Sequence, residues 1–156
     1  MIDNQKICGE VLITIDYENG EQKTMLYKNA VVKTAKEASV LGLVNQIGDS
    51  WQFYIDKMIF GTNGTSGSTP KVVEDSRNGL FGTTLLSKSV SSTINASSST
   101  QAIFTTVIAF SEGNGSTINE MALVMKDGNL YSMMTFTGIA KTSAQQIIIN
   151  WKISML

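Results

Sequence analysis

Over residues 7–17 the chain reads ICGEVLITIDY, and Ile7, Val11, Ile13 and Ile15 share one parity of a β-branched run. A period of two in such residues predicts a strand with one face toward a core. Glu18, Asn19, Gly20 and Glu21 follow. Their Asn-Gly pair supplies the positive φ of a tight hairpin turn, so residues 23–28 (KTMLYK) return as the second strand. Thr34 and Glu37 then stand in the T-x-x-E spacing of a capping box, in which hydroxyl and carboxylate each satisfy an orphan backbone N–H. A helix is expected over about 35–47, with Val40, Leu41, Val44 and Ile47 on one face and Gly48 closing it.

From Trp51 to Phe60 apolar residues occupy both parities, with Phe53, Ile55 and Ile59 on one side and Tyr54, Met58 and Phe60 on the other. A strand covered on both faces fits that pattern. Gly61, Thr62, Asn63, Gly64, Thr65, Ser66, Gly67, Ser68, Thr69 and Pro70 come next, a run whose glycines and hydroxyls work against regular structure. It is expected to be a long exposed loop, either a contact arm or a plain flexible connection. Residues 83–96 and 101–110 read as strands about a Ser-rich turn, and 118–126 and 130–137 flank the hairpin signal Asp127-Gly128. A last strand over 145–155 alternates Ile147, Ile149, Trp151 and Ile153 with polar residues. About eight strands against one helix predict an all-β fold, an antiparallel β-sandwich or jelly-roll-like barrel.

At 156 residues the chain suits a single domain able to bury a core of its own. No apolar run reaches the roughly 18 residues of a membrane span, and residues 1–10 lack a secretory signal. Membrane association is not expected, and synthesis in a cytoplasm is. With a net charge of −1 there is no general pull toward nucleic acid. Charged residues make up only 16%, with Ser, Thr, Asn and Gly in their place, so a neighbour could cover such a surface at little desolvation cost. Cys8 is the single cysteine, which rules out an internal disulfide, and it is expected to be a buried spectator.

No histidine is present, which removes Ser-His-Asp and Cys-His catalysis and the commonest transition-metal ligand together. The phosphate-cradling motif G-x-x-x-x-G-K-[ST] is absent, and neither a cofactor nor a metal is expected. Paired carboxylates are the remaining route to an enzyme, with Asp56, Glu74, Asp75 and Glu120 as the members available, and no spacing brings any two together. Met121, Met125, Met133 and Met134 suit either core gaps or an adaptable surface. Trp51, Tyr54 and Tyr131 form a candidate glycan platform, the alternative being aromatic packing in the core.

Several short motifs carry a resemblance. Asn119, Glu120 and Leu123 match a pattern close to N-E-x-G-L-x; Leu130 and Phe136, Lys141 and Thr142, and Trp151 and Ile153 follow in order, with Ile59, Phe60, Gly61 and Thr62 upstream. Over residues 55–156 the chain resembles small virion proteins of tailed bacteriophages, although Ala122 stands where a glycine is usual. The resemblance implies a non-enzymatic β-sandwich subunit located in the virion. It would be a capsid decoration or cement protein, a head-fibre base, or a tail, baseplate or fibre part that joins virion components or binds host glycan. Its partners would be major capsid or tail proteins and further copies of itself, a trimer being the expected homo-oligomer. The 61–70 loop and the N-terminal hairpin are the expected contact elements, and deletion of residues 62–69 is expected to spare folding.

Overall fold

The computed structural model describes residues 6–43 and 54–155. Strands β1 (Ile7–Tyr17) and β2 (Gln22–Val31) form the expected hairpin, with Gly20 at φ 85° and its N–H donating to the Tyr17 carbonyl at 2.9 Å. The closing strand β11 (Gln145–Met155) returns along the whole of β1, from Ile7 opposite Met155 to Tyr17 opposite Gln145. β8 (Gln101–Ile108) pairs with β11, and β7 (Ser91–Ile94) with β8. The other half of the molecule is built from β3 (Ile55–Gly61), β6 (Leu86–Ser89), β9 (Thr117–Met125) and β10 (Leu130–Ala140). β2 joins the halves, since Ala30 and Val31 leave β1 and pair with Met133 and Ser132 of β10.

The resulting order is β6-β3-β9-β10-β2-β1-β11-β8-β7, an antiparallel sheet of nine strands folded on itself as a sandwich and nearly closed as a barrel. Residues 83–96, expected as one strand, are divided at Val90. β6 ends one edge of the order and β7 the other, and the Thr106 hydroxyl of β8 donates to the Ser89 carbonyl of β6 at 2.9 Å across the seam. At Val90 the chain passes from pairing with β3 to pairing with β8, which brings the two ends of the strand order together.

The core lies between the halves. Val11, Ile13 and Ile15 of β1 and Ile147, Ile149 and Trp151 of β11 pack with Met58, Phe60, Met121, Leu123, Met134 and Phe136 from the opposite side. A second cluster, with Val32, Ala122, Val124, Leu130 and Met133 at its centre, covers the other face of β9 and β10 beneath Val73, Leu80 and Phe81. β9 is therefore buried on both faces, as is Met58–Phe60 of β3 to a lesser degree. All four methionines at 121, 125, 133 and 134 are buried and act as core filler.

Helix α1 (Lys33–Leu43) starts without the expected capping box. Thr34 lies inside it and donates to the Leu130 carbonyl, Glu37 pairs with Lys33 at 3.3 Å, and the Lys33 N–H finds the Asp75 carbonyl at 2.8 Å. Tertiary acceptors have replaced the local cap. The helix buries Ala35 and Ala38, whereas Val40, expected on the apolar face, is 59% exposed. Val44, Ile47, Gly48, Trp51 and Phe53 lie outside the described residues. Cys8 is half-buried and shares its parity with Glu10 and Leu12, so it belongs to the outer face and is no core spectator.

Candidate functional site

The 61–70 segment departs from the expected irregular loop. Gly61 is the last residue of β3, and a small hairpin follows, formed by β4 (Thr65–Ser66) and β5 (Thr69–Pro70), with Gly67 at φ 61° in its turn. Its base is clamped from β9. The Glu120 carboxylate, fully buried, accepts from the N–H groups of Phe81 at 2.7 Å, Asn63 at 3.1 Å and Gly82 at 3.2 Å. Asn119 Oδ1 accepts from Gly64 N–H at 2.7 Å, and its Nδ2 donates to the Thr65 hydroxyl at 3.1 Å. Three convergent backbone donors can hold a buried carboxylate without a cation. Gly61 and Gly64 are buried; Thr62, Asn63 and the tip from Ser66 to Pro70 are exposed, with Thr65 between. The segment is thus an anchored hairpin with a free tip.

The same clamp holds residues 77–82. Arg77 donates through Nη2 to the carbonyls of Gly79 at 3.0 Å and Leu80 at 2.7 Å, and its guanidinium lies 4.0 Å from the centre of the Phe81 ring. Lys71 approaches the same ring at 5.0 Å and donates to the Asn63 carbonyl at 2.7 Å.

Lys141 forms a second buried anchor. Its ammonium donates to the Thr142 carbonyl at 2.8 Å, Asn114 Oδ1 at 2.9 Å and the Phe110 carbonyl at 3.2 Å, fastening the 110–116 loop against the end of β10. Burial pushes the Lys141 pKa below the usual lysine value, opposed by the nearby Glu112 carboxylate. Glu112 itself is held below the usual carboxylate range by its 2.6 Å ion pair with Lys88 and by the Ala109 N–H at 2.9 Å.

The four candidate catalytic carboxylates have separate engagements. Asp56 pairs with Lys126 at 3.5 Å, Asp75 with Lys36 at 3.0 Å, Glu120 serves the clamp, and Glu74 is exposed. Of the proposed glycan platform, Tyr54 and Tyr131 come together. Both line a cleft of about 440 Å³ at one end of the sandwich, with Ile94, Phe104, Ile153 and Met155. Tyr54 is 58% exposed, while burial raises the pKa of the Tyr131 phenol.

One surface escaped the sequence reading. On the outer face of the half made by β2, β1, β11, β8 and β7, the register sets Leu26, Leu12, Asn150, Thr105 and Ser91 in one row. Thr24, Thr14, Ile148 and Val107 form the next. Neither row holds a charge. The row of Lys28, Glu10 and Lys152 bounds them on one side, with a 2.6 Å ion pair between the last two, and Asp16 lies on the other side. Leu26 is 66% exposed, and Leu12 and Val107 are exposed as well. The signal was present as the off-core parity of each strand, but only the register shows that these positions are neighbours. No protein-family model, curated protein or solved structure matches the chain.

Proposed function

We propose that this chain is a non-enzymatic structural subunit of a tailed-phage virion, a capsid-decorating or other head-associated protein that docks on the particle as a homo-oligomer. The observation that carries the reading is the uncharged outer face that includes Leu12 and Leu26, an antiparallel surface that another protein can cover without desolvating a charge. The expected contact element, the N-terminal hairpin, supplies its edge, and the tip of the 61–70 hairpin offers a second contact. The motif positions behind the resemblance support the same reading in a different way. Gly61, Asn119, Glu120 and Lys141 are spent on anchoring loops, and Phe60, Trp151 and Ile153 on the core, which leaves function to surfaces. Light scattering across a hundredfold concentration range tests the proposal: a stable oligomer that Leu12→Glu with Leu26→Glu converts to a folded monomer is expected. A wild-type chain that stays monomeric throughout overturns the homo-oligomer.

The pairing of Tyr54 and Tyr131 along one cleft favours a second reading, a tail or fibre component that binds host glycan. Saturable binding on a glycan array that is lost in Tyr54→Ala would select it over the first.

A further inference from the structure

The sequence contains four Asn-Gly pairs, at residues 19–20, 63–64, 78–79 and 114–115. All share the same chemistry. When the Gly backbone nitrogen gives up its proton and bonds to the Asn Cγ, the Cγ–Nδ2 bond breaks, ammonia leaves and a succinimide ring forms. Water then opens that ring at either carbonyl, to Asp or to its isoaspartyl isomer. A side chain smaller than any other after the Asn makes the approach easy, so the sequence alone treats the four pairs alike.

The fold does not. Gly20 N–H is held by the Tyr17 carbonyl at 2.9 Å, Gly64 N–H by Asn119 Oδ1 at 2.7 Å, and Gly115 N–H by the Lys141 carbonyl at 2.9 Å. Their asparagines are tied too. Asn19 Oδ1 accepts from Glu21 N–H at 3.0 Å, Asn63 Nδ2 donates to the Phe81 carbonyl at 3.1 Å, and Asn114 is held by Lys141 and by the Phe110 carbonyl, each at 2.9 Å. Among the described residues, Asn78 alone of these asparagines has no side-chain hydrogen bond, and Gly79 N–H alone of these glycines has no acceptor. Asn78 is also exposed.

We infer that Asn78–Gly79 is the site at which this protein spontaneously deamidates, the other three Asn-Gly pairs being protected by the folded structure. Reaction at a tied pair requires local opening that breaks both of its hydrogen bonds, which makes it about tenfold or more slower than at Asn78. The product places a new carboxylate beside Arg77, whose guanidinium covers Phe81 and caps the Gly79 and Leu80 carbonyls. The modified chain therefore carries one more negative charge on the segment that Glu120 clamps.

The test is peptide mapping by mass spectrometry of the full folded chain after incubation in mildly alkaline buffer, alongside the same chain in concentrated urea. In the folded sample residue 78 should gain the mass difference between a hydroxyl and an amino group, with an isoaspartyl form detectable by protein isoaspartyl methylation, while residues 19, 63 and 114 stay unchanged. In urea the four should convert at similar rates. Gly79→Ala should slow conversion at residue 78 in both samples. An added Cβ there meets no atom within 4 Å, so this variant keeps the fold. Faster conversion of residue 19, 63 or 114 than of residue 78 in the folded chain would overturn the inference, as would the same ranking in both samples.

Discussion

Gly61 of β3 lies opposite Glu120 of β9 in the strand register, and the approach is so close that a Cβ on Gly61 would stand 2.5 Å from Glu120 Oε1. The glycine makes room for the carboxylate, and the carboxylate holds the two segments that pass over it. Motif residues far apart in sequence are thereby one structural device.

Removing the acceptor should be costly. Glu120→Ala removes the acceptor shared by the N–H groups of Asn63, Phe81 and Gly82, and we expect a loss of about 3 kcal/mol or more, read as a lowered urea midpoint with unchanged slope. Gly61→Ala should lose about 1–3 kcal/mol by crowding the same carboxylate. A midpoint within experimental error of wild type for both would remove the clamp from the account.

The tip and the base of the 61–70 hairpin should behave differently. Deletion of residues 62–69, expected from sequence to leave folding intact while abolishing particle binding, strips Glu120 and Asn119 of the Asn63 and Gly64 donors and should destabilise the fold. Replacing only the exposed Ser66 and Ser68 by alanine should shift the thermal midpoint by no more than the equivalent of about 0.5 kcal/mol. Circular dichroism melts of the two variants separate these outcomes.

Trp151 fills the centre of the core with no exposed surface, yet its indole N–H has no acceptor among the described residues. Trp151→Ala should cost about 3–5 kcal/mol through the cavity it leaves. Trp151→Phe should cost less, since the smaller cavity is offset by removal of an unpaired buried donor. Chemical denaturation of the pair would show whether that order holds.

Acid should loosen the contact between β6 and the 110–116 loop. Glu112 in the folded chain titrates below 4.5, its value when unfolded, because Lys88 and the Ala109 N–H favour the carboxylate. The unfolded chain therefore takes up a proton first as pH falls, so the contribution of this group is complete above about pH 4.5 and is lost as pH drops through the folded value. Glu112→Gln should flatten that limb of the stability curve measured by urea titration, with little change in slope at neutral pH.

Strand identity was legible wherever side-chain chemistry acts locally. The period of two in Val11, Ile13 and Ile15 and in Ile147, Ile149 and Trp151 marks β1 and β11, and the Asn19-Gly20 and Asp127-Gly128 turns mark the β1–β2 and β9–β10 hairpins. The helix was legible as an element but not in its cap, since Thr34 found a tertiary acceptor at Leu130. The 61–70 segment was misread because its order comes from Asn119 and Glu120, which are more than fifty positions away.

The sequence by itself therefore determined that this chain is all-β, which parity of β1 and of β11 faces the core, and that histidine-based chemistry is absent, because periodicity, turn propensity and composition are local properties. Only the tertiary structure decided that the chain changes partner at Val90, from β3 to β8, in a sheet that nearly closes. It alone decided that Glu120 is a clamp, that off-core residues of separate strands join as one uncharged face, and that one Asn-Gly pair of four is left unprotected. Each of those depends on which distant backbone groups meet, and that follows from sheet order and register, which no short window of residues contains.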